Sequence, residues 1–185
     1  YDDLKKMVPK LKAKGINVVM LPNKDGWPMQ SCLFSTVLGR MAGDKFVDSI
    51  KAGKSKFTDK PFVDALTVIS NLYKDGIIAR EDNQVGYGEA PGLFASEKAA
   101  IYIDGDWRAG AYITDKASGK ALIAPAAQAT DFALLPFPAI PGELNPGVVS
   151  AVAGTGWAVS GSIPSGSAKE KAAVRLIKYL YSPEV

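Results

Sequence analysis

Apolar residues recur along this chain in two rhythms, one of three to four residues and one of two, and the changes of rhythm mark out its elements. Residues 2–14 place Leu4, Met7, Val8 and Leu11 on one side of a helix. Asp2 or Asp3 offers an N-cap and Gly15 a stop, while Pro9 predicts a kink because it removes an interior hydrogen bond. Residues 16–21 read as a short strand broken by Pro22, and a turn-rich loop, Pro22-Asn23-Lys24-Asp25-Gly26-Trp27-Pro28, follows. The helical period resumes through Leu33, Phe34, Val37, Leu38 and Met41, and a shorter helix carries Phe46, Val47 and Ile50. Residues 58–75 give the clearest helix. Thr58 or Asp59 caps it, Pro61 falls in its first turn, Phe62, Ala65, Leu66, Ile69, Leu72 and Tyr73 form one stripe, and Gly76 ends it.

The most informative stretch is 99–107. Ala99, Ile101 and Ile103 alternate with Ala100 and Tyr102, apolar on both faces, which predicts a strand covered on each side. Gly105 then permits a sharp turn or a close backbone approach, and Asp106 and Trp107 stand beyond it. A short helix to about residue 116 and an Ala-rich stretch to 130 come next. A second buried strand is expected over 131–137, ended by the proline-rich run 136–142, which should cross the surface because proline cannot pair in a central strand. Residues 148–160 read as a strand, a glycine hinge at Gly154, Thr155 and Gly156, and another strand headed by Trp157. Residues 167–181 close with a helix whose Ser167 and Glu170 have capping-box spacing and whose stripe is Ala173, Leu176, Ile177 and Leu180. Alternating helices and strands indicate an α/β or mixed α+β domain, a single one over residues 1–185.

Composition narrows the chemistry. An apolar fraction of 47% with 22% charged residues is ordinary for a globular protein with a sizeable core. A net charge of +3 on dispersed lysines argues against nucleic acid; the largest basic cluster, Lys51, Lys54, Lys56 and Lys60, is interleaved with Gly and Ser rather than with aromatic residues. The chain has no histidine and one cysteine, Cys32, which excludes His-based acid–base catalysis, most zinc geometries and an internal disulfide. No cofactor or metal is expected. Cys32 lies in an apolar run, as a structural thiol does. The longest uncharged run, 144–168, is broken by glycines, prolines and serines and reads as loops and strands rather than a membrane span. No signal peptide is visible, and the chain opens on a helical pattern without methionine and closes at a helix end, so it is expected to be a piece of a larger protein.

The run Phe94-Ala95-Ser96-Glu97-Lys98-Ala99-Ala100-Ile101-Tyr102-Ile103-Asp104-Gly105-Asp106-Trp107 resembles a pattern of the bacterial extracellular solute-binding proteins of ABC importers, F-x-x-G-K-A-A-M-x-x-x-G-x-W, in the carbohydrate-binding family that includes maltose-binding protein. Here Ser96-Glu97 replaces the usual glycine, a surface-turn change. The opening Tyr1-Asp2-Asp3-Leu4, Phe57-Thr58-Asp59, Leu135-Pro136-Phe137-Pro138 with Pro141-Gly142, and the stretch from Gly154 to Glu184 resemble the same family in the right order. The resemblance implies one lobe of a type II periplasmic-binding-protein-like fold, a central β-sheet flanked by helices. It further implies a C-terminal lobe lacking its N-terminal partner lobe, a carbohydrate ligand, an importer permease as partner, and an extracytoplasmic location, periplasmic or lipid-anchored.

On that resemblance Trp107 is the residue that stacks on a sugar ring, since a flat indole suits the apolar C–H face of a sugar. Asp106 reads either as an acceptor for two adjacent sugar hydroxyls or as a turn or N-cap aspartate. Arg108 reads as a donor to ligand oxygens or as a surface cation. Trp27 and Gln30 fall in a region that often faces the cleft, and Gly154, Thr155 and Gly156 allow backbone to approach a ligand closely. Tyr87, amid glycines in a polar loop, is a further candidate, and Trp157 reads as core.

Three functions compete. The first is non-catalytic sugar capture for import, with ligand held between two lobes. The second is a glycosidase using Asp104 and Asp106, which as strand neighbours would lie ~6–7 Å apart. The third is a sensor lobe that reports ligand to a receptor. A half-cleft is expected to bind sugar near millimolar where a full cleft binds near micromolar, about half of roughly 8 kcal/mol.

Overall fold

Val18, Val19, Met20 and Leu21 are each at most 3% exposed, and this run anchors the fold. The computed structural model describes residues 1–43, 45–150 and 156–183. Strand β1 (Asn17–Met20) pairs in parallel with β2 (Ala99–Tyr102), in the register Asn17↔Ala99, Val19↔Ile101 and Met20↔Tyr102. On its other edge Val19 bridges Ile78 and donates its N–H to the Ile77 carbonyl at 3.0 Å. β1 is therefore paired on both sides. β2 departs from expectation: Ala99 is buried, but Ala100 and Ile101 are exposed, because among the described residues β1 is its only strand neighbour. The fold is mixed α/β with a small open sheet.

Helices supply most of the core. α1 (Asp2–Lys12) packs Leu4, Met7, Val8 and Leu11 against it, with acidic residues in its first turn and lysines in its last, as the helix dipole favours. It runs on through Pro9, which is exposed, so water can satisfy the carbonyl that the missing N–H leaves free. A π-helix (Met29–Phe34) passes directly into α2 (Ser35–Ala42), and α3 (Phe46–Lys51) follows. α4 (Lys60–Lys74), with Asp59 at its N-cap position, the Asp59 side chain turned back to the Lys56 N–H rather than to the helix, and Pro61 in its first turn, buries Ala65 and Leu72. α5 (Ala90–Ala95) sets Ala90 against Met20 and Ala99. The helix expected after Trp107 is a 3₁₀ helix, Asp106–Ala111, and α6 (Pro125–Thr130) lies in the Ala-rich stretch.

Two helices end in the same turn on different residues. After α4, Gly76 sits at φ +71°, its N–H bonds to Tyr73 and the next N–H, of Ile77, bonds back to Leu72. After α5 the pattern repeats: Glu97 N–H to Phe94 and Lys98 N–H to Leu93, at 3.0 and 3.1 Å, with Glu97 at φ +59°. Both are Schellman caps, whose left-handed residue is usually glycine. Glu97 is the position at which the resembled pattern has glycine, so the departure there costs backbone strain.

The proline-rich segment is held without a strand. Residues 131–137, expected as a buried strand, are irregular, with Leu134 62% and Leu135 81% exposed. Arg40 of α2, itself 2% exposed, takes over the pairing. Its Nε donates to the Val148 carbonyl at 2.7 Å, Nη1 to Pro138 at 2.9 Å and to Glu143 Oε2 at 3.2 Å, and Nη2 to Phe137 at 2.9 Å. The Leu144 and Asn145 N–H groups return bonds to the Arg40 carbonyl. Prolines have no N–H to offer a ladder, but their neighbours' carbonyls still need donors, and one guanidinium supplies four. Residues 148–150 are likewise irregular rather than strand.

Asp82 is a further buried titratable group, 1% exposed, accepting the Leu21 N–H at 3.1 Å and the Asn17 amide at 3.3 Å. It closes the end of β1. Burial pushes its carboxyl up to about 6, more than these hydrogen bonds lower it.

By its internal contacts the chain divides into two units, Tyr1–Ser150 and Ala151–Val185. In the second, α7 (Ala168–Leu180) is capped as expected: Ser167 Oγ accepts the Glu170 N–H at 3.1 Å, and Glu170 Oε2 accepts from Gly166 N at 2.6 Å. Its stripe is less covered than expected. Ala173, Ile177 and Leu180 are half-buried, whereas Leu176 is 58% exposed. Residues 156–160 are not strand, and Trp157, expected in the core, is exposed.

Three outcomes follow from these contacts. Glu97→Gly should stabilise the chain by about 1 kcal/mol, since αL costs an L-residue roughly that much, and raise Tm by about 2–4 °C in differential scanning calorimetry; an unchanged or lower Tm contradicts the strain. Arg40→Met should cost about 3–5 kcal/mol in urea unfolding, because Glu143 and three carbonyls lose their donor; a loss below about 1 kcal/mol would mean that the guanidinium does not hold the segment. The third concerns pH. Asp82 binds its proton more tightly folded than unfolded, so its contribution to stability is fully present below about pH 4 and is lost as pH rises through about 6, by roughly 3 kcal/mol in all. Asp82→Asn should flatten that slope, and a wild-type slope that survives the substitution assigns it elsewhere.

Candidate functional site

Asp104 lies just past the end of β2, where the Ile103 N–H still bonds to the Met20 carbonyl at 3.1 Å. Its side chain is 5% exposed and both oxygens are occupied. Oδ1 accepts from the Gly105 N–H at 2.7 Å and from the Tyr87 hydroxyl at 3.0 Å. Oδ2 accepts from the Tyr102 hydroxyl at 2.6 Å and from Arg108 Nε at 3.1 Å. Burial raises the phenol pKa of both Tyr87 and Tyr102, so each keeps the proton it donates. One carboxylate thus ties together the strand end, the loop carrying Tyr87 and the turn carrying Arg108.

Three aromatic rings are arrayed beside this carboxylate. Trp107 Nε1 donates to the Tyr87 hydroxyl at 2.6 Å, and the Trp107 side chain is 53% exposed. Trp27 meets Tyr87 edge-on with centroids 4.5 Å apart and lies 6.3 Å from Trp107 at 42°. The Arg108 guanidinium covers the Tyr87 ring at 4.4 Å. Local chemistry explains how Trp27 arrives there. Its loop turns at Gly26, whose φ is +76°, and is tied to residues 82–87 by Asn23 N–H to the Asp82 carbonyl, Lys24 N–H to the Val85 carbonyl, and Tyr87 N–H to Asp25 Oδ2 at 2.8 Å. A sugar ring between two indoles needs about 7–8 Å, two van der Waals separations. The Trp27–Trp107 spacing is too small and too tilted for that, so these rings offer a platform rather than a sandwich.

The other expected residues fall variously. Asp106 is exposed at the start of the 3₁₀ helix, makes no side-chain hydrogen bond among the described residues, and leaves the N-cap position to Gly105. Gln30 is exposed on the π-helix close after Trp27. Gly154 and Thr155 lie outside the described residues, and Gly156, exposed, belongs to the second unit. Cys32 is half-buried and burial pushes its thiol up to about 11, which keeps it protonated and unreactive. An open depression of about 570 Å³ lined by Thr114, Asp115, Ser118 and Lys120 has no aromatic wall, so the candidate site is the ring platform. Sequence reasoning did not assign Asp104 its four-donor role, nor Tyr102 any role; the signal available was an aspartate directly before a glycine at a strand end.

As a glycosidase pair, Asp104 and Asp106 are unsuited. A general acid must carry a proton to a leaving group, and Asp104 is enclosed by donors on both oxygens.

Comparison with curated proteins by sequence gave no match. Among solved structures, the chain is similar to a chitin oligosaccharide binding protein, with TM-score 0.62 and 26% identity over 77% of this chain and 33% of that one. It is also similar to a protein solved in work on xylan utilization by the thermophilic bacterium Caldanaerobius polysaccharolyticus, with TM-score 0.70 and 23% identity over 97% of this chain and 43% of that one; this second likeness speaks to fold alone. The chain therefore spans between a third and a half of the length of these two proteins. Among the described residues no helix is long and apolar enough to cross a membrane. Over residues 1–185 the sequence fits the family pattern for bacterial extracellular solute-binding proteins, and the chain belongs to that family.

Proposed function

We propose that the chain is one lobe of a non-catalytic binding protein that captures a carbohydrate outside the cytoplasmic membrane for delivery to an ABC importer. The observation that carries this reading is the Trp107 indole, half exposed with its N–H already satisfied by Tyr87. Such a ring has no polar edge left to offer and attracts the apolar face of a ligand. Trp27 extends the platform, while the exposed Asp106 and the Arg108 guanidinium over the Tyr87 ring offer an acceptor and donors for hydroxyls. Gln30, exposed close after Trp27, completes the candidate set within the first unit. The chitin oligosaccharide binding protein among its structural relatives supports an oligosaccharide ligand.

In this reading residues 1–185 form the C-terminal lobe, the N-terminal lobe supplies the opposite wall of the cleft, and a membrane permease receives the loaded protein. The family is extracellular, which supports an extracytoplasmic location, in the periplasm or tethered by lipid to the outer surface. A receptor in place of the permease would use the same cleft.

The test is titration of the 185-residue chain with neutral xylo- and chito-oligosaccharides, followed by NMR of the indole N–H groups. Binding near ~1 mM, about 4 kcal/mol, is expected, with no turnover of the sugar and at least about tenfold weakening in Trp107→Ala. Indoles that do not respond at about ten times that concentration would contradict carbohydrate capture. Micromolar binding by this chain alone would contradict the need for a second lobe.

A further inference from the structure

We infer that Tyr87 is a positioning residue: held by Asp104, its hydroxyl fixes the Trp107 indole so that one side rests on Gly105 and the other is presented to ligand. This rests on the reading of Trp107 as a stacking residue. The Tyr87 hydroxyl accepts from Trp107 Nε1 at 2.6 Å and donates to Asp104 Oδ1 at 3.0 Å, so its proton and an acceptor lone pair are both used within the protein. The phenol ring is itself immobilised, edge-on to Trp27, covered by the Arg108 guanidinium, and fixed at its backbone N–H by Asp25. Tyr87 is thus a rigid arm rather than a ligand contact.

Gly105 forms the other half of the device. A Cβ placed there would run into the six-membered ring of Trp107, so the indole lies over the glycine where no other residue would admit it. The ring has a floor at Gly105 and a lateral tether at Tyr87. A stacking side chain that is already ordered loses less rotamer freedom on binding than a mobile one, and that difference appears in affinity.

The test uses the 15N-labelled chain and its three indole N–H resonances, assigned by replacing each tryptophan with phenylalanine in turn. Tyr87→Phe keeps the ring and removes the hydroxyl. The Trp107 N–H should then exchange with water about tenfold faster and shift, while Trp157 stays put; Tm should fall by a few degrees, because Asp104 loses one of its four donors. Gly105→Ala should move the same resonance with the tether chemically intact. Titrated with xylo- and chito-oligosaccharides, Tyr87→Phe should bind about three- to tenfold more weakly than wild type. Trp107 exchange that is unaltered in Tyr87→Phe overturns the tether, whether or not any sugar binds. Altered exchange with unchanged affinity overturns its role in recognition. A wild-type platform that ignores every sugar removes the ligand half of the inference together with the reading on which it rests.

Discussion

The structure of the candidate site depends on one buried carboxylate. Asp104 carries its charge into a position 5% exposed, where desolvation would be prohibitive without partners. Four donors, one of them a guanidinium, offset that cost. The donors come from three places: the strand before it, a loop seventeen residues earlier, and the turn just after it. Because the carboxylate needs all of them, the end of β2, Tyr87 and Arg108 are held as one piece, and Trp107 is held through Tyr87. The proposed ligand platform, Trp107, stands at the far end of this chain of bonds.

A second buried charge does the same work for architecture. Among the described residues the sheet has two strands, too few to carry a segment as long and proline-rich as 131–150. Arg40 gathers the carbonyls of residues 97 to 108 positions away and binds the segment to α2. Both hubs use groups with many hydrogen-bonding directions where a regular ladder would use many residues. The parallel pair β1–β2 is thereby left to position the strand end, and helices α2 and α4 to fill the core around Leu33, Val37, Ala65 and Leu72.

Helices with a full apolar stripe and chemical stops were legible in the sequence almost to the residue. Residues 58–75 became Lys60–Lys74 and residues 167–181 became Ala168–Leu180, because caps and periodicity are local. Strand expectations over 131–137 and over the described residues 148–150 and 156–160 failed for the opposite reason: whether an apolar run is paired or merely crosses the surface is decided by partners far away, Arg40 for 137–148. At the site, Trp27 announced itself by standing between Gly26 and Pro28, and Trp107 by following Gly105 and Asp106 at a strand end. Tyr87 was visible only as an aromatic residue among glycines, and Asp104 as half of a carboxylate pair. Their actual roles are set by hydrogen bonds across the fold, which no spacing in the sequence encodes. Glu97 is an instructive middle case, since the residue expected to be glycine stands in the conformation that glycine prefers.

The most direct measurement is a crystal structure of the chain with a bound xylo- or chito-oligosaccharide. The account predicts a sugar ring stacked on the exposed side of Trp107, hydroxyls within reach of Asp106 and Arg108, and the Asp104 carboxylate still enclosed by its four donors without touching the ligand. A sugar lodged away from the indole, or one bonded directly to Asp104 with Tyr87 displaced, would contradict it.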